Sequence, residues 1–148
     1  MKRILAAIDL SDISSAVVEQ ASQLARSFGA RLWLLHVVPP DPEFVGYEVG
    51  PQSVRDAVAT ELRGEHRRVQ QLADELLESG IDVIPRTVQG PTVETVLREA
   101  EEHEVDTIVM GTHGHGALYR ALLGTVSEGV MRKTRVPLLL IPAPAAIE

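Results

Sequence analysis

Residues 3–9 read Arg-Ile-Leu-Ala-Ala-Ile-Asp, a continuous apolar run that ends at a carboxylate. A run this short, without polar residues in alternation, predicts a strand that is buried on both faces of a sheet. Apolar residues then recur at helical spacing from Val17 to Phe28, and Gly29 predicts the end of that helix. A second apolar run follows at 32–38, so the chain opens as strand, helix, strand.

The same alternation continues along the rest of the chain. After a loop rich in Pro and Gly at 39–52, the pattern predicts a helix ending at Gly80, a strand at 81–88, a helix opened by Gly90-Pro91, a strand at 106–111, a helix at 125–134 and a strand at 136–141. Pro85 cannot donate a ladder hydrogen bond, which places its strand at a sheet edge. The whole pattern predicts one α/β domain over 1–148: an open five-stranded parallel sheet, order 3-2-1-4-5, with helices on both faces.

Composition excludes several classes of function. The 148 residues contain no cysteine, which removes disulfides, thiol catalysis and cysteine-ligated metals. The formal net charge of −7 argues against a general nucleic-acid binder, and any phosphate site must work by local geometry. No apolar run approaches the roughly 18 residues of a membrane span. We therefore expect a soluble cytoplasmic protein that binds neither nucleic acid nor membrane.

A candidate site follows from topology, since open parallel sheets bind ligands beyond the carboxyl ends of the strands where the winding reverses. In the predicted order that point lies between strands 1 and 4, which end at Asp9 and Gly111. Strand 4 leads into the glycine-rich segment 111–116, and 124–127 (Gly-Thr-Val-Ser) opens the next helix. Glycines let backbone N–H groups approach phosphate, and a helix start adds further donors. The segment fits neither a P-loop nor the Gly-x-Gly-x-x-Gly fingerprint, and taken alone these glycines could equally form a tight turn.

The full spacing, Gly111-x-x-Gly114, nine residues and then Gly124-Thr125, resembles the ATP-binding signature of the universal stress protein family. The resemblance covers nearly the whole chain and includes Ile-Leu-Ala-Ala-Ile-Asp at 4–9, Leu-His-Val-Val at 35–38, Gly90-Pro91, Asp-Thr-Ile-Val-Met-Gly at 106–111 and Val-Pro-Leu-Leu-Leu-Ile-Pro at 136–142. It implies an adenine nucleotide alpha hydrolase-like fold and the ATP-binding branch of the family.

The resemblance also implies a nucleotide site drawn from three strand ends and one helix start: Asp9, Val37, Val38, Gly111, Gly114, Gly124, Thr125, Val126 and Ser127. In that site the glycines and the helix start hold the phosphates and ribose, with the Ser127 hydroxyl as a further donor. Asp9 approaches the ribose or a Mg²⁺ ion bound through the ATP phosphates, or else simply caps the next helix. Val37 or Val38 contacts adenine, and Arg120 is a candidate cation for the triphosphate. His113 and His115 are expected in a solvated loop, without a metal.

Three functions stay open at this point. The first is an ATP-responsive stress or regulatory module with an unknown protein partner. The second is an enzyme of the related nucleotide-binding α/β group, such as a nucleotidyl transferase or ATP pyrophosphatase. The third is a scaffold without a ligand. No catalytic set stands out, so we expect at most slow ATP hydrolysis. The apolar strand at 136–141 predicts a homodimer through antiparallel pairing of its edge, as the resemblance also implies.

Other polar residues are given structural interpretations. His36 lies inside an apolar strand and is expected to be a satisfied core residue. The acidic run that includes Glu99 is expected on a solvated helix face, and so are Glu65 and Arg68 on the long helix.

Overall fold

The computed structural model of the chain describes residues 1–39, 52–112 and 124–142. Five strands and four helices occupy these ranges: β1 (Arg3–Ile8), α1 (Ser14–Phe28), β2 (Arg31–Val38), α2 (Gln52–Glu78), β3 (Val83–Gln89), α3 (Thr92–Glu102), β4 (Thr107–Gly111), α4 (Thr125–Lys133) and β5 (Leu138–Ile141). The predictions made for His113, Gly114, His115, Arg120 and the body of the 39–52 loop lie outside the described residues.

The five strands form one parallel sheet in the order β3-β2-β1-β4-β5, which confirms the predicted topology. β1 lies at the centre, with Ala7 in register with Leu35 of β2 and Met110 of β4. Pro85 lies on the edge strand β3, as predicted. The winding reverses between β1 and β4, so the point at which such sheets bind ligands lies at the carboxyl ends of these two strands, as predicted.

Helix ends follow the glycines, whereas some strand ends are shifted by their neighbours. Gly29 and Gly80 adopt φ of 62° and 92°, the left-handed conformation that ends a helix. Strand β3 begins two residues later than the predicted 81, because the Ile81 amide donates to α2 at Leu76. Strand β5 begins at 138 rather than 136, because the Val136 amide is taken by the Thr134 hydroxyl.

Two apolar cores lie on the two faces of the sheet. Alternate residues of β1 and β2 point to opposite faces, so Ile4 and Leu32 belong to one core and Leu5 and Trp33 to the other. Helices α1 and α2 cover the first face, and α3 and α4 cover the second. Among the helices in the described ranges, none is both long enough and apolar enough to cross a bilayer.

The prediction that Glu99 lies on a solvated face is wrong. Its side chain is 1% exposed and accepts hydrogen bonds from Arg86, at 3.0 Å from Nε and 2.7 Å from Nη2. His103, one turn later on α3, has Nε2 3.0 Å from the same carboxylate, and its ring stacks on Trp33 at 5.1 Å. The acidic run in the sequence contained no sign of this arrangement, because the opposite charge is supplied by Arg86 on a different element, β3.

Candidate functional site

The crevice between β1 and β4 opens because the chain leaves these two strands toward opposite faces. From β1 it continues into α1 on one face, and the helix that follows β4 in the described chain, α4, lies on the other face. The carboxyl ends of the two strands are adjacent, with Ala7 and Met110 in register one residue before the end of each strand. Asp9 and Thr112 therefore leave the sheet side by side.

Asp9 lies half-buried at the mouth of this crevice with one carboxylate oxygen anchored. Its Oδ1 accepts the amide N–H of Ser11 at 2.9 Å, the Ser11 hydroxyl and the Ser14 hydroxyl at 3.3 Å. Leu10 between them has φ of 63°, a left-handed conformation that is uncommon for a leucine. Asp9 does not cap α1, since no side chain in the described part of the chain caps the start of that helix, but its carboxylate organises the turn that leads into it. Its contact with a ligand stays a prediction.

The start of α4 is joined to the end of β4 by three hydrogen bonds. The Gly124 amide donates to the Thr112 carbonyl at 2.7 Å. The Ser127 hydroxyl, 3% exposed, donates to the carbonyls of Gly111 at 2.6 Å and Thr112 at 3.2 Å. In this arrangement the hydroxyl proton of Ser127 is donated to the protein backbone. Its position thus fixes where the helix begins, whereas donation to a phosphate stays a prediction.

The first turn of α4 offers backbone donors at the crevice. Thr125, Val126 and Ser127 occupy its first three positions, where amides have no partner within the helix. Gly124 precedes them with extended backbone angles (φ −65°, ψ 155°), and no side chain caps the helix within the described ranges. Amides of this kind, with the positive end of the helix dipole, suit an anion.

The two valines that end β2 are both buried but differ in their surroundings. Val37 packs in the same apolar core as Val126 of α4 and Ala7 of β1, so it lies on the α4 side of the sheet. The carbonyl of Val38 already accepts the Gly90 amide at 3.0 Å. Val37 is thus the residue whose side chain shares a core with the α4 start.

Sequence reasoning missed the contribution of α2 to this edge of the sheet. Arg68 is exposed, as expected, whereas Glu65 is partly buried, with Oε2 3.3 Å from Nε2 of buried His36. Arg68 has Nη2 3.4 Å from the Leu10 carbonyl. The core role predicted for His36 is confirmed, since its Nδ1 lies 3.0 Å from the Ile8 carbonyl. A polar His within an apolar strand was the one available signal that a partner had to approach it.

Within the described ranges, one cluster combines three side chains of metal-ligating type, and it lies on α3. It comprises Glu99, Glu102 and His103, and the Glu99 carboxylate already accepts the guanidinium of Arg86. At the crevice the described carboxylate is Asp9, a hard oxygen donor of the type that Mg²⁺ prefers. One carboxylate fits an ion that takes its other ligands from phosphates and water.

Comparison with known proteins finds relatives that match nearly the whole chain. It is 30% identical over 145 residues to universal stress protein MJ0531 of Methanocaldococcus jannaschii, covering 97% of this chain and 83% of that protein. A universal stress protein of Thermus aquaticus is 31% identical over 144 residues, covering 95% and 98% of the two chains. Among solved structures, protein MJ0577 of M. jannaschii superposes with a TM-score of 0.82 at 26% identity, over 98% of both chains.

Two further solved structures carry nucleotides. A universal stress protein in complex with cAMP has a TM-score of 0.66 and 22% identity, and covers 95% of this chain and 96% of that one. One from Archaeoglobus fulgidus in complex with dAMP has a TM-score of 0.63 and 18% identity, and covers 95% and 97%. At these identities the likeness concerns the fold. The universal stress protein family model matches residues 1–142, and with these relatives it shows that the chain belongs to the universal stress protein family.

Proposed function

We propose that this chain binds ATP with Mg²⁺ in the β1/β4 crevice and acts as a nucleotide-responsive regulatory module of the stress response, without being a dedicated catalyst. The observation that carries the proposal is the start of α4, whose first-turn amides are held at the crevice by the hydrogen bonds of Gly124 and Ser127 to the end of β4. Backbone donors at a fixed helix start are suited to phosphate even in a chain of net charge −7.

Three features of the chain support an adenine nucleotide. The Gly111-x-x-Gly114 spacing and Gly124-Thr125 follow the family's ATP-binding signature. Val37 supplies apolar surface for a base in the core that also contains Val126. The cAMP and dAMP complexes belong to proteins of the same fold, which makes adenine nucleotides the ligand class to test.

Each group in the crevice has a distinct proposed role. The amides of Thr125 and Val126 bind phosphate oxygens, and Gly111 and Gly114 let the backbone approach them. Asp9, held through Oδ1, meets the ribose or the Mg²⁺ ion that the phosphates carry. Mg²⁺ supplies charge neutralisation of the triphosphate, and Ser127 keeps the α4 start in place.

The proposed regulatory output is a change of partner surface. β5 is an edge strand whose Leu139 is 37% exposed, and its free edge is proposed to pair with a second copy of the chain. The lack of cysteine fits the reducing cytoplasm, where such a module would meet ATP.

The test is mass spectrometry of nucleotide released from the purified, denatured protein, followed by calorimetric titration with Mg·ATP. We expect ATP or ADP in the release, binding by the wild type, and loss of binding in Gly114→Val, whose side chain would keep phosphate away from the backbone. Ser127→Ala is expected to weaken binding, because it removes the bond that holds the α4 start to Gly111.

The control is Ser15→Ala, which removes an exposed hydroxyl that donates to the Asp12 carbonyl and touches neither the end of β4 nor the start of α4 in the described hydrogen bonds. A wild-type protein that releases no nucleotide and gives no heat with Mg·ATP contradicts the proposal. Chromatographic detection of fast ADP production would instead favour the enzyme alternative.

A further inference from the structure

Helix α2 contacts the turn that presents Asp9, and it does so through polar groups. Ile8 and Leu10 flank Asp9, and the carbonyl of each accepts a side-chain hydrogen bond. The donor to Ile8 is on β2 and is contacted by α2, and the donor to Leu10 is on α2 itself. Nδ1 of His36 lies 3.0 Å from the Ile8 carbonyl, and Nη2 of Arg68 lies 3.4 Å from the Leu10 carbonyl. Glu65, three residues before Arg68 on the same helix face, reaches Nε2 of His36.

The hydrogen-bonding pattern of His36 fixes the location of a proton. A carbonyl oxygen can only accept, so Nδ1 of His36 carries the proton that it donates to Ile8. On the other side of the ring, Nε2 lies 3.3 Å from Oε2 of Glu65. With the His36 side chain 6% exposed and that of Glu65 28% exposed, this contact is partly shielded from water.

The turn that these groups hold is a strained one. Leu10 has φ of 63°, a left-handed conformation that is unfavourable for a residue with a Cβ, so its surroundings must offset the strain. Directly beyond it, the Ser11 amide donates to Oδ1 of Asp9. The orientation of the Asp9 carboxylate therefore depends on the backbone between Ile8 and Ser11.

We propose that α2 clamps the Ile8–Leu10 turn through Glu65, His36 and Arg68, and that these three are positioning residues for Asp9 that set the affinity of the crevice for Mg·nucleotide. The affinity half of this inference rests on the proposed function. The clamp itself can be tested without any nucleotide.

The first test needs no ligand. We expect Glu65→Gln and Arg68→Met to raise hydrogen exchange at the Ser11 amide by about tenfold, because the first removes the carboxylate that holds the His36 ring and the second removes the donor to the Leu10 carbonyl. Glu61→Gln and Arg63→Met are the matched controls, since they make the same charge changes on exposed positions of α2, and among the described residues Arg63 bonds within its own helix, to Thr60. Arg68→Lys, which keeps a donor of similar reach, is expected to recover most of the protection.

A spectroscopic readout addresses His36 directly. Two-bond ¹H–¹⁵N spectra of the wild type are expected to show a proton on Nδ1 of His36, the nitrogen that faces the Ile8 carbonyl. A His36 ring protonated on Nε2 alone would overturn the clamp, and so would Ser11 exchange rates in Glu65→Gln and Arg68→Met equal to those of the controls.

The second test measures affinity by titration with Mg·ATP and with ATP in EDTA. Because Asp9 is proposed to act on the ion or ribose, Glu65→Gln and Arg68→Met should weaken Mg·ATP binding by about tenfold. The control variants Glu61→Gln and Arg63→Met should bind Mg·ATP as the wild type does. Equal affinity in all variants would overturn the positioning role. If the wild type binds no nucleotide, the proposed function and the proposed effect on nucleotide affinity fail together. The Ser11 exchange rates and the His36 spectrum still show whether α2 holds the turn.

Discussion

The carboxylate of Glu99 is buried between the guanidinium of Arg86 and the ring of His103. Burial alone would raise the pKa of Glu99, but the hydrogen bonds from Arg86 and His103 and their charges lower its pKa below the ordinary value. In return, the hydrogen bond to Glu99 raises the pKa of Arg86 above its usual value. The Glu99 carboxylate and the Arg86 guanidinium thus form a charged pair that joins α3 to β3.

Glu99→Gln is expected to destabilise the protein by about 3 kcal/mol, because it leaves a charged Arg86 against a neutral amide in a buried site. The value lies at the low end for a broken buried pair, since the Arg86 side chain is 39% exposed and water can reach it. Urea denaturation followed by far-UV circular dichroism measures the change.

The control is Glu102→Gln on the same helix, where the side chain is 54% exposed and its ion pair with Arg98 spans 3.9 Å. That change should cost at most about 0.5 kcal/mol. Equal effects at the two positions would contradict the structural role assigned to Glu99.

Single residues explain where sequence reasoning succeeds and fails at this scale. His36 was predictable, because an imidazole in an otherwise apolar strand needs partners. Glu99 and Glu65 were not, since a helix surface rich in Glu gives no sign of which carboxylate faces a cation on another element. Pairing of that kind is decided by tertiary contacts between β3 and α3, or between β2 and α2.

At the scale of elements, α3 and α4 approach each other closely at Gly129. A Cβ placed on Gly129 would lie 2.7 Å from Cγ2 of Val93 on α3. The glycine therefore sets the distance between the two helices on this face, and through α4 the position of the helix start at the crevice.

Gly129→Ala is expected to destabilise the protein by about 1–3 kcal/mol, because overpacking at a tight helix contact forces a shift of one helix. Gly64→Ala is the matched comparison, since Gly64 lies in α2 with nothing within 4 Å of the added Cβ. Alanine should there stabilise by up to about 1 kcal/mol through helix propensity. Thermal unfolding of the two variants separates packing from propensity, and a stabilised Gly129→Ala would refute the contact.

Elements were predicted with more success than their ends. Nine elements follow from apolar periodicity, because buried parallel strands and amphipathic helices have different spacings. Observed strand ends differ from the predicted ones by one or two residues where a backbone amide donates to a group outside the sheet, as Val136 does to the Thr134 hydroxyl. Periodicity contains no information about such local hydrogen bonds.

At the scale of the whole molecule, two carboxyl groups make stability depend on pH. The backbone N–H groups of Lys2 and then Arg3 lower the pKa of Asp106, at 2.6 Å and 2.9 Å. The pKa of Glu99 is also lowered. A group with a lowered folded pKa stabilises the fold fully above its unfolded pKa and loses that contribution as pH falls through the folded pKa.

We therefore expect the contribution of these two groups to the melting temperature to be constant near neutral pH and to fall as pH drops below the ordinary values of 4.5 for Glu and 3.8 for Asp. Calorimetric scans of wild type, Glu99→Gln and Asp106→Asn measure this. The gap between wild type and each variant should narrow with acidification, because the protonated carboxyl resembles the amide. A gap independent of pH would show that charge at these positions does not stabilise the fold.

The proposed homodimer is also a property of the whole molecule. Leu139→Lys places a charge on the exposed face of the edge strand β5, and we expect it to convert a dimer into a monomer in sedimentation velocity. Leu77→Lys, on α2 at 49% exposure, changes a similarly exposed leucine away from that edge and should leave the dimer intact. A monomeric wild type, or a dimer in both variants, would exclude the β5 edge.

Topology is the reason why the site could be located from the sequence. The order of the strands fixes which carboxyl ends meet, and this brought Asp9 beside the end of β4 without knowledge of any contact. The hydrogen bonds that hold Asp9, Ser127 and Leu10 could not be predicted, because they depend on the geometry of turns and on α2.

The backbone bond between the Gly124 amide and the Thr112 carbonyl joins the two ends of the segment 113–123. Since the ends are already fixed, lengthening this segment costs little: a doubling adds about 0.6 kcal/mol of closure entropy. A change in the length of this connection could therefore leave the helix start where it is. Evolution could thus vary the connection without rebuilding the frame that holds α4 to β4.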